Sequence, residues 1–248
     1  MKKNILLLLL FLTQSATFGQ YINYKFYEDF LTKYVSKEGN VDYDAIYENK
    51  KDLTMIIDRF KSIEVYDNWS KNQKLSYWIN VYNVYSIKLI IDHFPINSIK
   101  DIYGSFDLRF IPYQKQLISL NYIEKEILSK TLDERIHFAI NCASISCPSL
   151  NRKPFYGDIL DEQLEQAAKV FINDMTKNNI SRKEIKLSKI FEWFSDHFLQ
   201  NNTSIISYIN KYSTVKIKEQ ATISYLEYNW SLNSQMKFNN KEFLAASN

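Results

Sequence analysis

Between Arg135 and Leu150 the chain reads RIHFAINCASISCPSL, a stretch that holds one of the three histidines and both cysteines of the sequence. A cysteine nucleophile needs a nearby base to hold it as thiolate and a third group to orient that base. Cys142 and His137 supply those identities, so one candidate is a thiol-dependent hydrolase or transferase acting on an amide or peptide-like substrate. The same sulfurs support a second chemistry. In an oxidising compartment a Cys142–Cys147 disulfide closes a small loop and leaves no thiol, which suits a noncatalytic binding or scaffold module. Both readings stay open on the sequence. No metal centre is assigned, because H-x4-C-x4-C lacks the paired spacing of zinc sites and no fourth ligand stands nearby. Ser144 and Ser146 lack the glycine-flanked elbow of a serine hydrolase.

The elements that must position these groups follow from periodicity. Ile136, Phe138 and Ile140 alternate with His137, Ala139 and Asn141, which predicts a strand ending in a turn at Cys142. On a regular strand His137 and Cys142 point to opposite faces, roughly 16 Å apart at about 3.3 Å per residue, so a direct dyad requires a sharp bend after Asn141. Upstream, Ser70 and Gln73 form a capping box that opens a helix running to about His93, where Phe94-Pro95 stops it. Asn80 and Asn83 share a face of that helix. They either fix neighbouring backbone or, with Asn141, orient substrate and stabilise an oxyanion. Leu108 and Phe110, then Leu117, Ile118 and Leu120, suggest two strands around a turn at Tyr113 to Gln116. Asn121 can cap the helix that follows, which carries Glu124, a carboxylate able to orient His137 or to sit in solvent. Arg135 either clamps a carboxylate or phosphate of the substrate or makes a structural ion pair.

Six motifs in order carry a family resemblance: WINVYN at 78–83, YIEKEIL at 122–128, HFAINCASISCPSL at 137–150, LDEQL at 160–164, LSKIFEWF at 187–194 and YLEYNWSLN at 225–233. Over residues 40–233 the chain resembles the DUF547 family, in the form of a bacterial exported member. The resemblance implies no settled activity. It does imply a glycine in the turn near 114, where this chain has Gln114 to Gln116, and an acid where it has Asn229. A looser likeness is to papain-like and transglutaminase-like enzymes, in which a strand histidine faces a helix bearing cysteine. WINVYN offers asparagine there.

Composition bounds the rest. Met1 to Gln20 has two lysines, an apolar run from Ile5 to Leu12 and then small residues, the order of a secretory signal with cleavage expected after Gly19. The run is too short to anchor the chain, and no later segment is long enough to span a membrane. We therefore expect a protein exported to the periplasm or medium. The formal charge is +3, and losing Lys2 and Lys3 leaves 31 − 2 − 28 = +1, which argues against nucleic acid as partner. A small-molecule or peptide-like ligand is the expectation, with no cofactor. Residues 20–39 form an N-terminal helix, 40–233 one domain and 234–248 a tail. The fold class is α+β, a single domain of amphipathic helices packed on a small, mostly antiparallel sheet.

Overall fold

The computed structural model describes residues 22–235. The secretory signal, its cleavage site and residues 236–248 of the tail lie outside the described residues. Chemically, the architecture starts from one helix. In α4 (Lys71–His93) the Ser70 side chain accepts the Gln73 N–H and the Gln73 side chain returns to the Ser70 N–H. This reciprocal cap fixes the start that the sequence predicts. Phe94-Pro95 ends it as predicted, since proline has no N–H to continue the ladder. The helix is buried on nearly every side, including Ser76, Asn80, Asn83 and Ser86, so it is a central pillar rather than a surface element.

Around the pillar pack α1 (Lys25–Tyr34), α2 (Tyr43–Glu48) and α3 (Lys50–Lys61). Asn49 divides α2 from α3 by leaving helical geometry and donating its N–H to the Ala45 and Ile46 carbonyls. Gly39 turns the chain after α1 at φ 86, and a Cβ there would lie 2.6 Å from Ser149 Cβ, so only glycine fits. Strands β1 (Ile111–Tyr113) and β2 (Gln116–Ile118) form the expected hairpin. Gln114 takes the positive φ of 52 for which the family resemblance implies glycine.

Next, α5 (Leu120–Tyr122) runs directly into a π-helical turn at Ile123–Leu128. Its cap is Ser119, whose side chain accepts the Tyr122 N–H, and not Asn121, which instead donates to Asp107. A 3-10 turn ends at Leu132, an exposed leucine held at φ 59. Glycine meets no Cβ penalty in that conformation. Leu132→Gly is therefore expected to stabilise the protein by about 0.5–1 kcal/mol, read as a higher urea midpoint with unchanged slope.

The C-terminal half holds α6 (Leu160–Asn173), β3 (Asn179–Ile180), β4 (Glu184–Leu187), α7 (Ile190–Trp193), α8 (Ser195–Leu199), α9 (Ile205–Ile209) and β5 (Thr222–Tyr225). Strand β4 pairs antiparallel with β3 and parallel with β5. The α+β class stands, but two small sheets replace the single one expected. The closing segment is a strand only to Tyr225. Beyond it the chain runs extended through single bridges, Ser231 to Ser98 and Leu232 to Ser144.

Two apolar masses result. One gathers α1 to α5 and the start of α6, Leu160 and Leu164, around Ile79, Tyr82 and Phe60; the other gathers the rest of α6, α7 to α9 and β4 around Phe191, Phe198 and Tyr208. Among the described residues no helix is long and apolar enough to cross a membrane.

Candidate active or binding cleft

The reactive stretch is not a strand. Glu134–Phe138 is a 3-10 turn capped by Asp133, whose side chain accepts the Arg135 N–H. Ile136, His137 and Phe138 are all buried, so the alternation of apolar and polar letters does not mark two differently solvated faces. Arg135 is held by Asp133, at 2.9 Å from both Nε and Nη2, and by Asp161 at 2.7 Å. Those acids raise the guanidinium's pKa further, and the guanidinium holds Asp133 below the usual carboxylate range. Arg135 is thus committed to scaffold, not to a substrate anion. The papain-like geometry, a histidine on a strand, also goes.

The three asparagines read as substrate-binding groups are committed to backbone. Asn80 donates to the Phe155 carbonyl at 2.8 Å and accepts its N–H at 2.9 Å. Asn83 donates to the Ala139 carbonyl at 2.9 Å and accepts the Asn141 N–H at 2.8 Å. Asn141 donates to the Pro148 carbonyl at 2.7 Å and accepts from Ala143 N–H and Asn233. All three are buried, where an unpaired amide is costly, so the fold-fixing role wins.

Cys142 and Cys147 are joined as a disulfide, with Cα atoms 6.1 Å apart. In this state Cys142 has no thiol to serve as nucleophile; sulfur chemistry of that kind requires prior reduction. The loop they close is tied to the C-terminal segment. Ile145 N–H donates to the Ser231 carbonyl at 2.8 Å and Ser146 N–H to the Asn229 carbonyl at 3.2 Å. Lys177 donates to the Ile145 carbonyl from the other side. The Tyr228 hydroxyl lies 3.3 Å from each sulfur.

His137 and the disulfide line one cleft at the seam between the two apolar masses. Its volume is about 150 Å³, and its walls include Tyr82, Phe106, Trp193, Phe194, Tyr228 and Trp230. The coiled backbone therefore brings together two groups that the strand reading holds apart. Glu124, carried on the π-helical turn, lies in the same wall with Oε1 3.8 Å from His137 Nδ1. Such turns recur at functional sites. Tyr82 faces Glu124, and burial keeps its phenol protonated, with a pKa well above the ordinary value.

His137 Nε2 meets His197 Nδ1 at 2.9 Å, and Phe194 stacks on the His137 ring at 4.0 Å between centroids. Burial and the neighbouring imidazole push His197 down to about 4. His197, Phe194, Trp193 and Tyr228 are not among the sequence candidates. For the first three the signal is present in EWFSDH, where aromatics and a histidine recur at helical spacing, but that pattern reads equally as core.

The fold and site define an α+β protein with an aromatic-walled cleft, a Glu-His-His line at its base and a disulfide in its wall. Residues 66–172 match the model of the family DUF547, described as a protein of unknown function. The resemblance drawn over 40–233 is thereby shown for its central part. Searches of curated proteins and of solved structures returned no match. The matched region supplies Tyr82, Glu124, His137 and both cysteines; the facing wall of Trp193, Phe194, Tyr228 and Trp230 lies beyond it.

Proposed function

We propose that the protein is an exported binding module whose cleft takes a small, mostly apolar molecule or peptide-like group bearing one hydrogen-bonding function. One observation carries this reading. His137 Nδ1 is buried without a hydrogen-bond partner, and the Glu124 oxygen facing it stands at 3.8 Å, too far to bond. A buried polar atom left unpaired costs roughly 1–3 kcal/mol, and such atoms concentrate at functional sites. A hydroxyl that accepts from Nδ1–H and donates to the carboxylate, or a primary-amide NH2 that donates to both, satisfies the pair, while the apolar body of the ligand meets the aromatic walls. Export is supported by the basic, apolar and small-residue order at the N-terminus and by the disulfide, which suits an oxidising compartment.

A second reading, a thiol-dependent hydrolase or transferase on an amide or peptide-like substrate, is favoured by the placement of Cys142 and His137 in one cleft. It applies to the reduced protein only.

The test uses Trp193 and Trp230 as reporters. A panel of N-acetylated amino-acid amides and benzamide-type fragments is titrated against the folded protein by tryptophan fluorescence and NMR shift mapping. Binding is expected to move Trp193, Trp230 and His137 together, and Glu124→Gln to weaken it about tenfold, about 1.4 kcal/mol. Shifts scattered over the surface, or affinity untouched by Glu124→Gln, would remove the cleft reading. Amide turnover after reduction, lost in Cys142→Ser, would select the thiol enzyme.

A further inference from the structure

The two sulfurs of the disulfide stand in different environments. Both cysteines line the cleft, but Cys142 is partly exposed whereas Cys147 is only 4% exposed. Donors stand around both sulfurs: the Tyr228 hydroxyl lies 3.3 Å from each and the Ser144 hydroxyl 3.2 Å from Cys142 Sγ. What distinguishes Cys147 is the Cys142 backbone N–H, 2.9 Å from its Sγ. A disulfide sulfur is a poor acceptor and a thiolate a strong one, so this N–H, with Tyr228, gains most when the bond breaks and charge arrives on Cys147.

We propose that the Cys142–Cys147 disulfide is a redox-active bond that exchanges with an external thiol entering through the cleft, with Cys142 the sulfur attacked and Cys147 the sulfur released. The attacking thiolate forms a new S–S bond to Cys142 Sγ, the old bond breaks, and its electron pair leaves on Cys147 as thiolate. A second thiol then attacks the mixed disulfide and releases Cys142. In sum two external thiols are oxidised to one disulfide, the protein bond is reduced by two electrons, and the two thiol protons pass to Cys142 and Cys147.

The rest of the loop is built to survive this step. Ala143 sits at φ 60 with its N–H on Asn141 Oδ1 at 2.9 Å, and its carbonyl accepts the Asn233 N–H at 3.1 Å. With the bridges to Ser231 and Asn229, these bonds hold both cysteines in place whether or not they are joined. Burial raises the Tyr228 phenol to about 12, so it stays a proton donor at the pH where thiols exchange. Exchange at this bond is independent of which ligand the cleft takes.

The oxidised full chain is incubated with millimolar reduced glutathione at neutral pH without denaturant, quenched with iodoacetamide and weighed by mass spectrometry. Two alkylated cysteines are expected while the circular dichroism stays unchanged; reduction only in denaturant would overturn the proposal. Incubated with glutathione disulfide, Cys147→Ser is expected to retain one glutathione on Cys142, at least tenfold faster than Cys142→Ser acquires one on Cys147. Equal rates would overturn the assigned polarity. Should the serine variants fail to fold, Tyr228→Phe in the otherwise native chain decides: at least fivefold slower reduction supports the proposal, and an unchanged rate overturns it.

Discussion

Asn83→Ala is expected to destabilise the protein by about 2–6 kcal/mol, since it orphans two buried backbone groups at roughly 1–3 kcal/mol each. The groups are the Ala139 carbonyl and the Asn141 N–H, which bracket the bend between His137 and Cys142. This one carboxamide fastens the reactive stretch to the central helix. Urea unfolding should show a lower midpoint at unchanged slope, the sign of lost stability without a change in the surface exposed. A loss under about 1 kcal/mol would mean that the amide is not the fastening. Leu89→Met, a volume-conserving change on the same helix, controls for general disturbance of its packing.

The second large effect is acid sensitivity. His197 has a folded pKa of about 4, below its ordinary value of 6.5, so between these values the unfolded chain binds the extra proton and the folded chain resists it. Stability from this source is complete above about pH 6.5, falls as the pH drops through the window, and is spent near pH 4. The loss is on the order of 2–3 kcal/mol, at about 1.36 kcal/mol for each pH unit between the folded and unfolded values, reduced for partial relaxation of the site. Two imidazoles 2.9 Å apart cannot both carry charge cheaply, and Asp133 offsets only part of the cost. Measured between about pH 5 and 6.5, above most carboxylates, the wild type should lose stability steeply and His197→Gln much less. Parallel slopes would exclude His197 as the source.

What the sequence discloses divides along a physical line. Ser70, Gln73 and Pro95 act through bonds to residues a few places away, so both ends of α4 are legible. The hairpin at 111–118 is legible for the same reason, as local spacing and turn residues decide it. The cysteine pair is legible as a set of alternatives, because a separation of five residues permits a bridge without requiring it. Periodicity misplaces His137 because Ile136, His137 and Phe138 are all enclosed, and alternation carries information only where one face meets water. The His137–His197 bond joins groups sixty residues apart. No local pattern encodes it. For Asn80, Asn83 and Asn141 the sequence poses a choice between backbone and substrate, but only three-dimensional placement shows that each amide is already spent.

The position of the cleft between the two apolar masses has a mechanical consequence. An occupant there would touch residues from both halves at once and act as mortar in the joint that α6 already bridges. Filling it would strengthen both halves together, by an amount that grows with the occupant's concentration.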